Sequence, residues 1–231
     1  MPAPYKHIFF DLDHTLWDFE KNCAETLLEL YDRHSLHKHR FDAEQFVNAY
    51  QDINRVLWKD LHAGKLDKYY IRQWRFILTF KQLGLHEEDV PANLEEQFLQ
   101  LCPAKSNVVP HAHEVLEYLK GKYTLHVITN GFYDIQQIKL SAARLGGYFN
   151  EIINSESCGH MKPDRRIFEF SLNKAKAKPE ECIMIGDDLD ADVIGARNAG
   201  IDQVFFNPKH EPHAERVSYE ISSLRELLEI L

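Results

Sequence analysis

The chain has 231 residues, enough for one large domain or for a core domain carrying a smaller one. With 44% hydrophobic and 27% charged residues it has the composition of an ordinary globular protein, and a formal net charge of −9 argues against a nucleic-acid backbone as its partner. The four cysteines (Cys23, Cys102, Cys158, Cys182) have no C-x-x-C spacing, and no apolar stretch approaches the roughly 20 residues needed to span a bilayer, so neither a zinc site, a disulfide framework nor a membrane span is expected, and the expected location is cytoplasmic.

In chain order, the first predicted strand is "YKHIFF" (5–10), an apolar run that leads directly into "DLDHT". More than a hundred residues without a convincing strand follow. Within them "DAEQFVNAYQDINRVLWKDL" opens with Asp42 and Gln45 at capping-box spacing and then places Phe46, Tyr50, Ile53 and Leu57 on one helical face. "DKYYIRQWRFILTFKQLG" (67–84) has Asp67 as N-cap and Gly84 as stop, and "PANLEEQFLQLC" starts a further helix at Pro91. Strands are then expected at "YTLHVIT" (123–129), "EIINS" (151–155), "ECIMIG" (181–186) and "DQVFFN" (202–207), with helices around 111–121, 133–146, 164–177 and 190–199. The tail "SSLRELLEIL" reads as a last helix capped by Ser222 or Ser223.

This order predicts an α/β fold, a doubly wound parallel sheet of Rossmann-like type, interrupted by an inserted all-helical domain. The boundaries are set at 1–17 and 105–231 for the core and 18–104 for the insert.

Chemistry-bearing residues fall at the ends of the predicted strands. Asp11 and Asp13 follow the first, Thr129, Asn130 and Gly131 end the second, Lys162 stands before Pro163 at a helix start, and Asp187, Asp188, Asp190 and Asp192 follow "IMIG". Each has an ordinary reading alone: a turn for D-x-D and for Thr-Asn-Gly, a solvated lysine, surface acids, and a helix N-cap for Asp190. Together they suit phosphoryl transfer, because strand carboxyl ends form the ligand crevice of an open α/β sheet. Magnesium takes hard oxygen ligands, which Asp11 and Asp187 can supply. A carboxylate can attack phosphorus, a second carboxyl group such as Asp13 can move the proton, and Thr129 and Lys162 can hold phosphoryl oxygens.

The four-part pattern resembles that of the haloacid dehalogenase superfamily of hydrolases, with "DLDHT", "TNG", Lys162 and "GDDLDAD" in the positions of its four motifs. The resemblance spans essentially the whole chain. It implies Asp11 as nucleophile, Asp13 as general acid/base, Thr129 and Lys162 as phosphate ligands, and magnesium on Asp11, Asp187 and the main-chain carbonyl of Asp13, with Asp192 as an acidic supporting residue. It also implies that the insert is the helical cap that carries selectivity. Asp13, Asp187 and Asp188 count against the metal-free dehalogenases of the superfamily. His14 departs from the glycine that most of its phosphatases have there. "DLDHTLWDF", "INRVLW", "ITNGFYDIQQIKL" and "KPDRRIFEF" look most like the YjjG-type pyrimidine 5′-nucleotidases.

The expected substrate is therefore a small phosphorylated metabolite, a nucleoside monophosphate first, for a protein acting as monomer or homodimer. A sugar-phosphate or phosphoglycolate-type phosphatase and a phosphomutase are the alternatives, ahead of a 2-haloacid dehalogenase or a non-catalytic regulator. Trp17, beside the first motif, and Trp58, in the insert, are the expected substrate-contacting aromatics. Trp58, Tyr69, Tyr70, Trp74 and Phe76 also fit a helical core, which is the commoner role for aromatics at that spacing.

Overall fold

The computed structural model describes residues 5–231. Two compact units emerge: residues up to Phe19 together with Ser106–Leu231, and Glu20–Lys105. The first contains a six-stranded, wholly parallel sheet in the order β3-β2-β1-β4-β5-β6. Its strands are β1 His7–Phe10, β2 Thr124–Thr129, β3 Glu151–Asn154, β4 Cys182–Gly186, β5 Asp202–Phe206 and β6 Tyr219–Ile221. The five longer ones lie where the apolar runs predicted them. β6 was not expected, because three residues are too few to display an alternating pattern.

Ile8, Phe9 and Phe10 of β1 are fully buried, as a central strand covered on both faces requires. Phe10 pairs with Val127 on one side and Ile185 on the other. From β1 the chain winds outward through β2 and β3, then returns to β4 on the opposite side of β1. The carboxyl ends of β1 and β4 therefore flank the topological switch point, where α/β sheets open their crevice.

The second unit is helical. It takes up α1 Phe19–Arg33 apart from its first residue, then α2 Ala43–His62, α3 Lys68–Gln82 and α4 Leu94–Leu101. Asp42 and Gln45 form the expected capping box, Asp67 caps α3, and Gly84 adopts the left-handed conformation (φ 79°) that ends it. α4 begins at Leu94, later than Pro91 suggested, because Asn93 takes the capping position. Phe46, Tyr50, Phe76, Phe80 and Phe98 are buried and pack ring against ring. Of the five aromatics expected to share a core, only Phe76 does. Tyr69 and Tyr70 are exposed, and Trp74, half-buried, stacks on Tyr70 at 5.7 Å.

Back in the sheet unit, α5 is Ala112–Leu119 and α6 is Tyr133–Ala142, shorter than predicted because Arg144 turns left-handed at φ 55°. α7 Ser155–Cys158 and α8 Arg165–Ala175 follow β3. After β4 comes a π-helical turn, Leu189–Ile194, continued by α9 Gly195–Asn198. Its cap is Asp188, whose carboxylate accepts from the amides of Asp190 and Ala191; the sequence had suggested Asp190. Ser223 caps the tail, which closes as α10 Leu227–Ile230. Among the described residues, no helix is long and apolar enough to cross a membrane.

Candidate active site

β1 hands the chain directly to Asp11, whose amide donates to the carbonyl of Ile185 at 2.8 Å and so fixes it at the switch point. β4 ends at Gly186, followed by Asp187. A Cβ on Gly186 would lie 2.1 Å from Asp192 Oδ2, so the strand end can pass that carboxylate only as glycine. Asp187 Oδ1 accepts from Thr15 Oγ1 at 2.8 Å.

The turn between Asp11 and Trp17 explains the unusual His14. It has φ 66°, in the left-handed region that suits glycine, and its N–H donates to the carbonyl of Trp17 while the amides of Leu16 and Trp17 both donate to Leu12. A histidine there carries a backbone cost that glycine would avoid.

Lys162 reaches the same crevice from the segment between β3 and α8, and it is far from solvated: its side chain is 2% exposed. Nζ donates to Asp11 Oδ1 at 2.6 Å, Asp192 Oδ1 at 2.6 Å and the Ile128 carbonyl at 2.8 Å, which uses all three ammonium protons. Asn130 secures the lysine from behind. Its Nδ2 donates to the Lys162 carbonyl and its Oδ1 accepts from the Lys162 amide, at 2.9 and 2.8 Å. The Asn130 side chain, expected on the substrate, is thus engaged by the lysine backbone.

Asp11, Asp187 and Asp192 each offer an oxygen within 4.8 Å of the others. Burial pushes Asp11 and Asp187 up to about 7 and Asp192 to about 6, with Lys162 pulling Asp11 and Asp192 the other way. The same two carboxylates hold Lys162 above the ordinary lysine value despite its burial. A cluster so rich in negative charge fits a hard cation, which takes oxygen ligands. Asp192 has both oxygens engaged, one by Lys162 and one by the amide of Asp188 at 3.1 Å, whereas Asp187 accepts only from Thr15 among the bonds described.

Asp13 faces a different set of partners. Its carboxylate receives Lys139 Nζ on Oδ1 at 2.5 Å and Gln136 Nε2 on Oδ2 at 2.9 Å, both from α6. Although burial opposes it, Lys139 and Gln136 keep Asp13 below the usual carboxylate range. Gln136 Nε2 also donates to Thr129 Oγ1 at 2.7 Å, and the amide of Gly131 donates to the same oxygen at 3.1 Å. Thr129 is 1% exposed, and with both lone pairs in use its hydroxyl proton is the part left to give.

Sequence reasoning missed Gln136 and Lys139. They lie three apart on one helix and together with Leu140 form the buried face of α6, while Ile138 is exposed, an orientation that no local sequence signal marks. Trp17 is fully buried, with Lys139 Nζ 4.4 Å from its ring centroid and Phe19 packed edge-on at 6.1 Å. Trp58 is half-buried on α2 of the helical unit, its ring 6.1 Å from His62.

A family model described as haloacid dehalogenase-like hydrolase matches residues 5–200. The chain is 33% identical to the pyrimidine 5′-nucleotidase PynA of Streptococcus pneumoniae, over 98% of this chain and 95% of that protein. It is 31% identical to the pyrimidine 5′-nucleotidase YjjG of Escherichia coli (97% and 96% covered) and 35% identical to a glyceraldehyde 3-phosphate phosphatase of Methanothermobacter thermautotrophicus (96% and 99% covered). Among solved structures it is similar to YfnB of Bacillus subtilis, a putative HAD-hydrolase bound to magnesium and described as revealing interdomain movement. That match has a TM-score of 0.87 and 27% identity, and covers 98% of each chain.

Proposed function

We propose, for a chain that belongs to the haloacid dehalogenase-like hydrolase family, that it is a magnesium-dependent phosphomonoester hydrolase working through an aspartyl-phosphate on Asp11. The observation that carries this reading is the buried Asp11–Lys162–Asp192 cluster beside Asp187 at the switch point.

In the first step a carboxylate oxygen of Asp11 bonds to phosphorus as the bond to the leaving oxygen breaks. That oxygen takes its proton through Asp13, which rests as the carboxylate held by Lys139 and Gln136 and takes up the proton brought by the phosphomonoester monoanion. In the second, Asp13 accepts a proton from water while the water oxygen bonds to phosphorus and Asp11 departs. Lys162 and the Thr129 hydroxyl stabilise the charge on the equatorial phosphoryl oxygens. The carboxylates of Asp11 and Asp187 and the main-chain carbonyl of Asp13 are the groups assigned to magnesium, which when bound offsets the negative charge of both protein and phosphate.

The leaving group is a pyrimidine nucleoside in this reading, supported by the names of the nucleotidase relatives. Discrimination falls to the helical unit, acting as a cap, with Trp58 its first candidate. Phosphate release should be measured from UMP, dTMP, AMP, GMP and glyceraldehyde 3-phosphate, with magnesium and with chelator. Pyrimidine nucleotides should lead, and chelator should abolish turnover. A lead for the triose phosphate, in line with the archaeal relative, refutes the nucleotidase assignment but keeps the phosphatase.

A further inference from the structure

We propose that Lys139, together with Gln136, is a positioning residue that holds Asp13 in its working orientation before substrate arrives. This deepens the phosphoryl-transfer reading above and rests on it. Three features of the geometry support it.

The first is that both Asp13 oxygens are claimed from a single rigid element, α6, three residues apart, so the carboxylate cannot turn about its own axis without breaking one bond. A carboxylate with two such donors still has further lone-pair sites toward the crevice.

The second is that Lys139 lies where a lysine would not be placed for packing alone. It is 5% exposed, and beyond Asp13 its ammonium meets the ring faces of Trp17 and Phe19, at 4.4 and 5.7 Å from their centroids. The aromatic wall confines the cation to the side from which it grips Asp13. That gives a reason for the fully buried Trp17, a large ring beside the first motif.

The third is a cost. Gln136 is 1% exposed and its Oε1 has no hydrogen-bond partner, while its Nε2 bridges Asp13 and Thr129. A buried acceptor left unpaired is unfavourable, and such a group in a native structure calls for a functional account. Gly131 gives Gln136 its seat: a Cβ there would lie 1.8 Å from Gln136 Nε2. The amide is thus wedged to join the acid/base group to a phosphate-holding hydroxyl, at the expense of its own carbonyl.

The test separates the proton-transfer role from mere support of the fold. Lys139→Met, Lys139→Arg, Asp13→Asn and the double variant Asp13→Asn/Lys139→Met are assayed on an alkyl phosphomonoester and on 4-nitrophenyl phosphate. For the aryl ester, first-turnover release of nitrophenolate is followed; that leaving group departs without a proton. Lys139→Met should lower kcat on the alkyl ester about a hundredfold, the low end for general acid–base catalysis, with first-turnover aryl release reduced by less than about threefold. Lys139→Arg should recover part of the loss. In the Asp13→Asn background Lys139→Met should cost less than about threefold more, because residues acting as a unit are not additive.

Thermal unfolding of each variant shows that it is folded at assay temperature. Equal losses on both esters, additive losses in the double variant, or faster turnover by Lys139→Met would overturn the assignment alone. Absence of wild-type turnover on both esters would overturn the phosphatase reading and this inference with it.

Discussion

Each unit of this protein buries charge, but with opposite bookkeeping. In the helical unit, Arg75 is 5% exposed and meets one carboxylate, Glu95, through two bonds of 2.6 and 2.7 Å, with its guanidinium 4.5 Å from the Phe98 ring centroid. The pair is balanced one to one and bidentate, the geometry that best offsets desolvation. In the sheet unit, four carboxylates (Asp11, Asp13, Asp187, Asp192) face two ammonium groups (Lys139, Lys162). That imbalance is poor for stability, and under the proposed function it is useful for chemistry, since it suits a cation and keeps the carboxylate proposed as nucleophile in a low-dielectric pocket. Closed, matched burial marks architecture; unmatched burial at strand ends marks function.

The sharpest way to break this contrast is to neutralise Asp11. Asp11→Asn should lower phosphatase turnover by about a thousandfold or more, as loss of a covalent nucleophile does. The same change should leave the melting temperature of the metal-free protein unchanged or raised, because it removes one charge from the crowded side. Lys162→Ala goes the other way on stability: it deletes the cation shared by Asp11 and Asp192 and should lose both activity and melting temperature. Kinetics and calorimetry in chelator read both. A stable, active Lys162→Ala would mean that the imbalance has no function.

Second in size is the helical pair. Removing one partner of a buried ion pair costs on the order of 3–5 kcal/mol when the other is left desolvated. Glu95→Met strands the 7%-exposed Arg75 side chain and should approach the low end of that range, about 3 kcal/mol. Arg75→Met leaves a Glu95 that is 26% exposed and can hydrate, so it should cost less, about 1–2 kcal/mol. The double methionine variant should recover most of the loss. Denaturant unfolding measures all three, and turnover of 4-nitrophenyl phosphate by the folded variants should stay within about twofold of wild type. Equal costs for the two single variants would refute the asymmetry.

What the sequence disclosed follows the same division. Strands β1 to β5 were legible because continuous β-branched and aromatic runs announce burial on both faces, and Asp11, Thr129 and Asp187 because each directly ends or follows such a run. Lys162 was legible only through the company of the other motifs. Lys139 was not, because a lysine on an amphipathic-looking helix is ordinarily solvated; nothing local says that α6 turns Ile138 outward and Lys139 inward. The burial of Trp17 was not legible for the converse reason, since its position beside the first motif says where it is in the chain and not how its ring packs. The cap at Asp188 in place of Asp190 reflects a π-helical turn, whose extra residue per turn no periodicity argument anticipates.

A last comparison extends the contrast to a buried polar pair that carries no charge at all. His7 on β1 and His126 on β2 stack with their rings 5.4 Å apart and share a hydrogen bond of 3.1 Å between Nδ1 of His7 and Nε2 of His126. His126 is fully buried against Phe9, its Nδ1 has no partner, and burial, reinforced by His7, lowers its pKa to about 4. Burial lowers His7 as well. A histidine held neutral in the fold takes up a proton more readily once unfolded, so its contribution is intact above the ordinary value near 6.5 and is lost as pH falls from there toward 4. The depression at His126 corresponds to roughly 3 kcal/mol at the acid end. His126→Phe keeps the ring packing on Phe9 and removes the titration, so its unfolding free energy should fall less than wild type's between pH 7 and pH 4.5. The difference between the two curves isolates this pair from the carboxylates, which titrate in both proteins. Parallel curves would show that His126 is protonated in the native fold, and that the pair belongs with the charged sites after all.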